Sequence, residues 1–441
     1  MLRVFKSRCL AGLLFALMLC GVPAGAQSGT TLLDPDPRIV QLSQQQNPGI
    51  AELADAAFIF SGTSAARRET AIVALDQLLQ KAAMLSAAVP SQYERGEALM
   101  TLLHEEVLRT YHEQTSTLDA ALIEGRYNCV SSSILFFLMA RAAGLEVAGI
   151  VTTDHSFCLV TLDTGLVVDA ETTNPYGWDP GTRKDFEDSK NQTAGFRYVP
   201  PGNYLARKPA DGRALVALIA QNMATLQERR QQWDAALQSI VNAYAWLPSS
   251  DMYKVLAARM HNYTGNLVNK KLWHEAFDFM AAFASRHQLD QNLEALRSLI
   301  LQGRLHDHVL QSPVPEAISA IKLAEQDGWL TANDRDELVT YAYGKVIESA
   351  SRSKQWLEAW QLAREAVADW PLNLQLQAIL DQARGNWTYS VHNEFALHYN
   401  ARRFDQARVV LEAAAAIDPE NSLIREDMEL LRKAGSTGGK P

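Results

Sequence analysis

Cysteine, long apolar runs and clustered positive charge are all scarce in this chain. Four cysteines occur in 441 residues. Cys9 and Cys20 sit near the N-terminus, which leaves Cys129 and Cys158 for the rest, enough for one disulfide at most. Beyond residues 10–22 no segment approaches the ~20 apolar residues of a membrane span, so no transmembrane helix is expected in the mature chain. Lysine and arginine total 41 against 50 aspartates and glutamates, a net charge of −9. An acidic chain without a basic cluster argues against nucleic acid as a partner. No glycine-rich phosphate loop is present, so a nucleotide cofactor is not expected, nor any other cofactor. His306-Asp307-His308 sets two histidines two residues apart, on nearly opposite sides of a helix, and nothing nearby completes a set of ligands. No metal is expected.

What is present points to a globular, exported protein of two or three domains. Hydrophobic residues make up 47%. Arg3, Lys6 and Arg8 precede the apolar stretch 10–22, and Ala24-Gly25-Ala26 offers small residues for cleavage. Residues 1–26 therefore read as a cleaved signal peptide, and the mature chain as periplasmic or secreted. Cys20 raises a lipoprotein as the alternative, but Met18 and Leu19 are bulky where small residues are usual. Removing 1–26 takes three cations and no acids, so the charge becomes 38 − 50 = −12.

Residues 27–37 read as a polar linker. From 38 to 122 the apolar residues recur at i, i+3 and i+4, the period of helices, with Pro90 separating two of them. A helix is expected over 129–143, closed by Gly144. Strands follow at 145–151, 155–162 and 166–170, with Asp163-Thr164-Gly165 as a turn. Helices followed by an antiparallel meander make an α+β domain over 38–200. Val199-Pro200-Pro201-Gly202 marks its end.

From 211 to 435 the strand pattern gives way to a repeat. Trp233, Ala236, Ile240, Ala243, Pro248 has the same spacing as Trp356, Ala359, Ala363, Ala366, Pro371 and as Phe404, Ala407, Leu411, Ala414, Pro419. Weaker copies begin at Trp273 and Val314. An aromatic starts the helix, a small alanine lets a neighbour approach, and proline stops it. This resembles an all-α tetratricopeptide-like solenoid with lengthened hairpins, which implies an extended groove for a protein or peptide partner. Residues 436–441 read as a disordered tail.

The chemistry gathers around Cys129. As the first residue of a helix it meets unpaired N–H groups and the positive end of the dipole, which favour a thiolate. His155 at a strand start is the candidate base. Asp169 on the next strand is the candidate carboxylate to hold the imidazole's other nitrogen. Strand alternation would turn Cys158 away from a His155 aimed at Cys129, which argues against a Cys129–Cys158 disulfide. The Cys129 N–H is a natural oxyanion donor. Tyr127 and Asn128 are candidates for a second donor, and Thr173 and Asn174 for the cleft wall.

Tyr127-Asn128-Cys129-Val130-Ser131-Ser132 before an apolar helix, Asp154-His155-Ser156-Phe157 at a strand start and Val167-Val168-Asp169-Ala170-Glu171-Thr172-Thr173-Asn174 on the next strand together resemble the transglutaminase-like branch of the papain-like thiol enzymes. The resemblance covers about 118–185. It implies Cys129 as nucleophile, His155 as general base and acid, and Asp169 as orienting carboxylate. It implies cleavage or transfer at amide bonds, in bacteria mostly as a peptidase or amidase, with peptides or peptidoglycan-derived peptides as substrates. Two alternatives stand beside it: a non-catalytic periplasmic scaffold built on a degenerate domain, and a cross-linking acyltransferase with an amine acceptor.

Overall fold

A computed structural model of the chain describes residues 30–182, 206–328 and 330–437. The expected signal peptide, the boundary sequence at 199–202 and the end of the tail, 438–441, lie outside the described residues. Helices with a small antiparallel sheet come first and an all-helical region follows. Residues 24–297 form one compact unit, and residues 298–441 belong to another.

The first unit opens with a 3-10 turn, Thr30–Leu33, inside the segment expected as a linker. That segment is packed rather than free: Leu33 is buried, the Asp36 N–H donates to Asn242 Oδ1 at 2.7 Å, and Gln238 donates to the Asp34 carbonyl. Four helices come next: α1 (Pro37–Ser43), α2 (Ile50–Phe60), α3 (Ala65–Ala88) and α4 (Gln92–Glu106). The Asp36 carboxylate caps α1 by accepting from the Arg38 N–H, and Pro37 stands where a missing N–H costs nothing. Pro90 separates α3 from α4, and the Ser91 hydroxyl accepts from the Glu94 N–H to start the latter. Two short strands, β1 (Thr110–Tyr111) and β2 (Arg126–Tyr127), pair in parallel on either side of α5 (Leu118–Glu124).

The centre of this unit is α6 (Cys129–Ala142), buried continuously from Cys129 to Ala140. Gly144 ends it at φ 72°, a left-handed position that glycine takes without strain. Strands β3 (Glu146–Val151), β4 (Ser156–Thr161), β5 (Val167–Ala170) and β6 (Lys208–Ala210) form one antiparallel sheet in the order β5-β4-β3-β6. In register, Cys158 of β4 lies opposite Gly149 on one side and Ala170 on the other. Cys158, Val160, Val168 and Ala170 share the buried core with Ile134, Phe136 and Leu138 of α6 and with Leu75 and Leu78 of α3. Burying each large apolar side chain contributes ~1.5–3 kcal/mol.

Helices α7 (Gly212–Arg229), α8 (Trp233–Trp246), α9 (Ser250–Asn269) and α10 (Trp273–Arg286) continue the same unit. The unit thus runs past the domain end expected near 200, and packing explains why. Leu215, Val216 and Ile219 of α7 enter the core of α6 and the sheet. Gly149 of β3 makes room for them, since a β carbon there would stand 2.5 Å from Leu215 Cγ.

Helix α11 (Gln291–Gln311) runs across the division, and the second unit continues as α12 (Val314–Gln326), α13 (Ala332–Arg352), α14 (Trp356–Asp369), α15 (Leu374–Asn400), α16 (Phe404–Ile417) and α17 (Ser422–Thr437). Its core joins Ile321, Ala363, Leu411 and Phe395, with Trp360 stacked on Trp387 at 4.5 Å. Each of the five repeated sequence frames begins a helix: α8, α10, α12, α14 and α16. Four of these corners are superposable in kind. Gln231, Lys271, Lys354 and Arg402 all have φ near +60°, two residues before the aromatic start. In each, the next N–H reaches back to the carbonyl five residues earlier, at 2.8 Å for Gln232 to Gln227 and 2.9 Å for Gln355 to Ala350. That is the Schellman closure of the preceding helix. Among the described residues no helix is long and apolar enough to cross a membrane.

Candidate active site

The start of α6 is fixed by Asn128. Its Oδ1 accepts from the N–H groups of Val130 and Ser131 at 3.0 and 3.2 Å, and Ser131 Oγ accepts from the Asn128 N–H at 3.0 Å. This reciprocal cap satisfies donors that the helix leaves open. Asn128 Nδ2 donates to the Glu113 carbonyl and to Ser116 Oγ. The candidate oxyanion side chain is therefore committed to holding the helix end. Cys129 follows as the first helical residue, where its own N–H has no partner within the helix. Its thiol is free and 7% exposed.

His155 sits in a tight turn just before β4, with the Thr152 N–H donating to the His155 carbonyl at 2.8 Å. Its imidazole is buried, and its electrostatics respond to the neighbouring Cys129 side chain. Nε2 lies 2.7 Å from Glu171 Oε2. Burial pulls the imidazole down, but the Glu171 charge and hydrogen bond together with the neighbouring Cys129 side chain outweigh it and push His155 up to about 10. The ring is an imidazolium at neutral pH.

The carboxylate on His155 is Glu171, whereas the sequence pointed to Asp169. Asp169 is buried with Arg207, whose two terminal nitrogens donate to Oδ2 at 2.8 Å and Oδ1 at 2.6 Å. The reason is the pleat. Val168 and Ala170 turn into the core with α6, so Asp169 between them faces the opposite side of β5. The chain leaves the strand after Ala170, and Glu171 turns back to the ring. Thr173 donates to Glu171 Oε1 from its N–H at 3.2 Å and its hydroxyl at 2.6 Å. The Glu171 N–H donates to the Gly177 carbonyl at 2.8 Å. Both oxygens of this carboxylate are thus held.

A second shelf of groups supports the turn at 171–173. Thr172 Oγ1 bonds Ser132 Oγ at 2.9 Å and Ser133 Oγ at 3.2 Å, joining it to α6. His104 of α4 donates from Nε2 to the Thr172 carbonyl at 3.1 Å. Burial drives His104 down to about 4, so it is neutral. The Tyr127 hydroxyl donates to the Thr173 carbonyl at 3.3 Å, and burial pushes it up to about 12. Tyr127, Thr173 and Asn174 are buried behind Glu171, and the cleft at Cys129 is lined by other residues.

Cys158 does not turn away from α6 as strand alternation suggested. Its Sγ faces the Ser133 carbonyl at 3.3 Å, while His155, outside the regular strand, escapes the alternation. Both thiols are free. Burial raises the Cys158 thiol far above its ordinary value, which keeps it protonated.

The cleft at Cys129 has a volume of about 210 Å³. Tyr111, Glu113, Asn128 and Asp154 line it together with Asn222 and Arg229 of α7. Asn222 Nδ2 donates to Ser116 Oγ at 2.8 Å, which ties α7 to the capped helix start. A larger cavity of about 740 Å³ lies by Arg141 and Glu146, at the far end of α6, and contains neither the thiol nor His155. Among the described residues no group of three His, Cys, Asp or Glu side chains is placed to hold a metal ion.

The sequence reading missed Glu171, Tyr111, Asp154 and the α7 wall. Glu171 had a signal, because it lies two residues beyond Asp169 and two before Thr173. The α7 wall had none, since nothing local ties residues 222–229 to Cys129. A scan of the chain against protein-family models finds no match, and a search of curated proteins finds none either.

Proposed function

We propose that the first unit is an exported thiol enzyme similar to the transglutaminase-like branch of the papain-like enzymes. It acts as a cysteine peptidase or amidase through a thioester on Cys129. The hairpins that follow serve as a tetratricopeptide-like solenoid for a protein or peptide partner. Export rests on the signal-like pattern of 1–26, and the solenoid reading on the repeated frames and their four matching corners.

The observation that carries the reading is the relay Cys129–His155–Glu171 at the start of a buried, capped helix. With Nε2 bonded to Glu171, Nδ1 is the nitrogen left to exchange a proton with the sulfur. The imidazolium supplies a positive charge beside the sulfur, which favours the anionic nucleophile. The sulfur attacks the amide carbon to give a tetrahedral oxyanion facing the Cys129 N–H. The C–N bond breaks as His155 gives its proton to the leaving amine. Water then adds to the thioester while His155 takes a proton from it, and loss of the thiolate releases the acid. Glu171 keeps the ring oriented through both halves.

The test is direct trapping. Incubated with an activated ester or a short peptide amide and quenched in acid, the protein is expected to carry an acyl group on Cys129 by mass spectrometry, and Cys129→Ala to carry none. An added amine that intercepts the acyl group at the expense of hydrolysis identifies the cross-linking variant. A Cys129 that stays unacylated with every donor supports the non-catalytic scaffold.

A further inference from the structure

The rim of the thiol cleft carries three charges of mixed sign. Glu113 lies just after β1, Asp154 immediately precedes His155, and Arg229 is in the last turn of α7; all three line the cleft with Cys129 and are exposed. Among the described residues no ion pair engages any of them. Their neighbours behave differently. Glu228, next to Arg229, pairs with Arg259, and Asp119 and Glu124, between Glu113 and the thiol in sequence, pair with Arg67.

One helix face contributes four of the lining residues. Asn222, Thr225, Leu226 and Arg229 are spaced three and four apart on α7, so they stand in one row above the cleft. Asn222 anchors that row to Ser116 at 2.8 Å. The cleft that holds the sulfur is thus lined by one guanidinium and two carboxylates.

We propose that this cleft selects an acyl donor ending in a zwitterionic amino-acid group, a carboxylate and an ammonium on one carbon. Arg229 takes the carboxylate through its planar fork of donors. Glu113 and Asp154 take the ammonium. The α7 row sets the distance between that group and the bond attacked by Cys129. The inference deepens the thiol-enzyme reading and rests on it. Substrates of this class are short peptides with a free amino-acid end, whether at a terminus or on a side chain.

The probe is a set of four chloroacetamides of similar length whose tails are neutral (ethyl), anionic (propionate), cationic (aminoethyl) or zwitterionic (a 2,3-diaminopropionate linked through its side-chain nitrogen). In each, the sulfur displaces chloride and forms one S–C bond, so the rate at Cys129 is read by peptide mass spectrometry. At low salt the zwitterionic tail is expected to modify Cys129 about tenfold faster than the neutral one, the lower end of what a charged cleft achieves, and added salt to shrink the difference. Arg229→Gln should erase the advantage of the zwitterionic over the cationic tail. The double variant Glu113→Gln, Asp154→Asn should erase its advantage over the anionic tail. Equal rates for the four tails in the wild type, or a ranking untouched by these variants, overturns the inference. The thiol-enzyme reading fails separately: His155→Ala must slow all four tails together, and if it does not, the relay is wrong whatever the ranking.

Discussion

His155 and Glu171 form a buried pair, Nε2 to Oε2 at 2.7 Å, and the carboxylate's other oxygen is held by the N–H and hydroxyl of Thr173. Two carboxylates separated by one alanine thus have different duties, one orienting an imidazole and the other neutralising Arg207.

Their substitutions should part company. Glu171→Gln is expected to bring His155 down from about 10 toward its ordinary 6.5 and to slow the chemistry of Cys129. Asp169→Asn leaves Arg207 buried beside a neutral amide and should cost ~3–5 kcal/mol of stability, while His155 keeps its high value. Imidazole NMR titration distinguishes the two; the opposite assignment of effects returns the orienting role to Asp169.

Stability should vary with pH in two windows of opposite slope. His155 is raised from 6.5 to about 10, so the folded state holds a proton that the unfolded state has lost between those values. Its contribution is complete below 6.5 and disappears as pH rises through 10, at most about 1.4 kcal/mol per pH unit. His104 is lowered to about 4 by burial, so the unfolded state binds the extra proton between 6.5 and 4 and stability falls on acidification. Urea midpoints under reducing conditions should peak near the unfolded histidine value. Glu171→Gln should flatten the alkaline side. An alkaline slope unchanged by that variant contradicts the pairing.

The left-handed corners of the hairpins are held by residues with β carbons. At Lys354, φ is +60°, a conformation that costs an L residue ~1–2 kcal/mol and glycine almost nothing. Lys354→Gly should therefore raise stability by up to about 1 kcal/mol, after its larger unfolded-state entropy. Thermal unfolding of the pair of proteins checks this; a marked loss instead means that the lysine side chain has a packing role.

Gly149 marks the close approach of α7 to β3. Gly149→Ala puts a β carbon on Leu215 and should cost ~1–3 kcal/mol. The pairing Gly149→Ala with Leu215→Ala should recover part of the loss, because the clash is removed. Additive losses in that double-mutant cycle speak against the contact.

Much of this was legible in local pattern. Helix α6 with Gly144 behind it and the meander β3–β5 follow from periodicity and turn residues, and the aromatic starts Trp233, Trp273, Trp356 and Phe404 each open a helix. The helix start at Cys129 and the strand entry at His155 could be read because capping and strand entry are local. Glu171 displaced Asp169 because facing depends on where β5 ends, one residue beyond Asp169, and sequence alternation does not say where a strand stops. Cys158 was misjudged for a related reason, since His155 lies in a turn where alternation does not apply. The β6 pairing and the α7 wall join residues more than 50 positions apart, and only the tertiary core brings them together.

The central claim is that Cys129 is activated by His155 and Glu171. Alkylation of Cys129 by iodoacetamide at one fixed neutral pH, compared across variants, tests it most directly. The relay predicts fast modification in the wild type, a fall of about tenfold or more in His155→Ala, a smaller fall in Glu171→Gln, and a rate close to wild type in folded Asp169→Asn. A Cys129 that reacts at the same rate in all four proteins would contradict it.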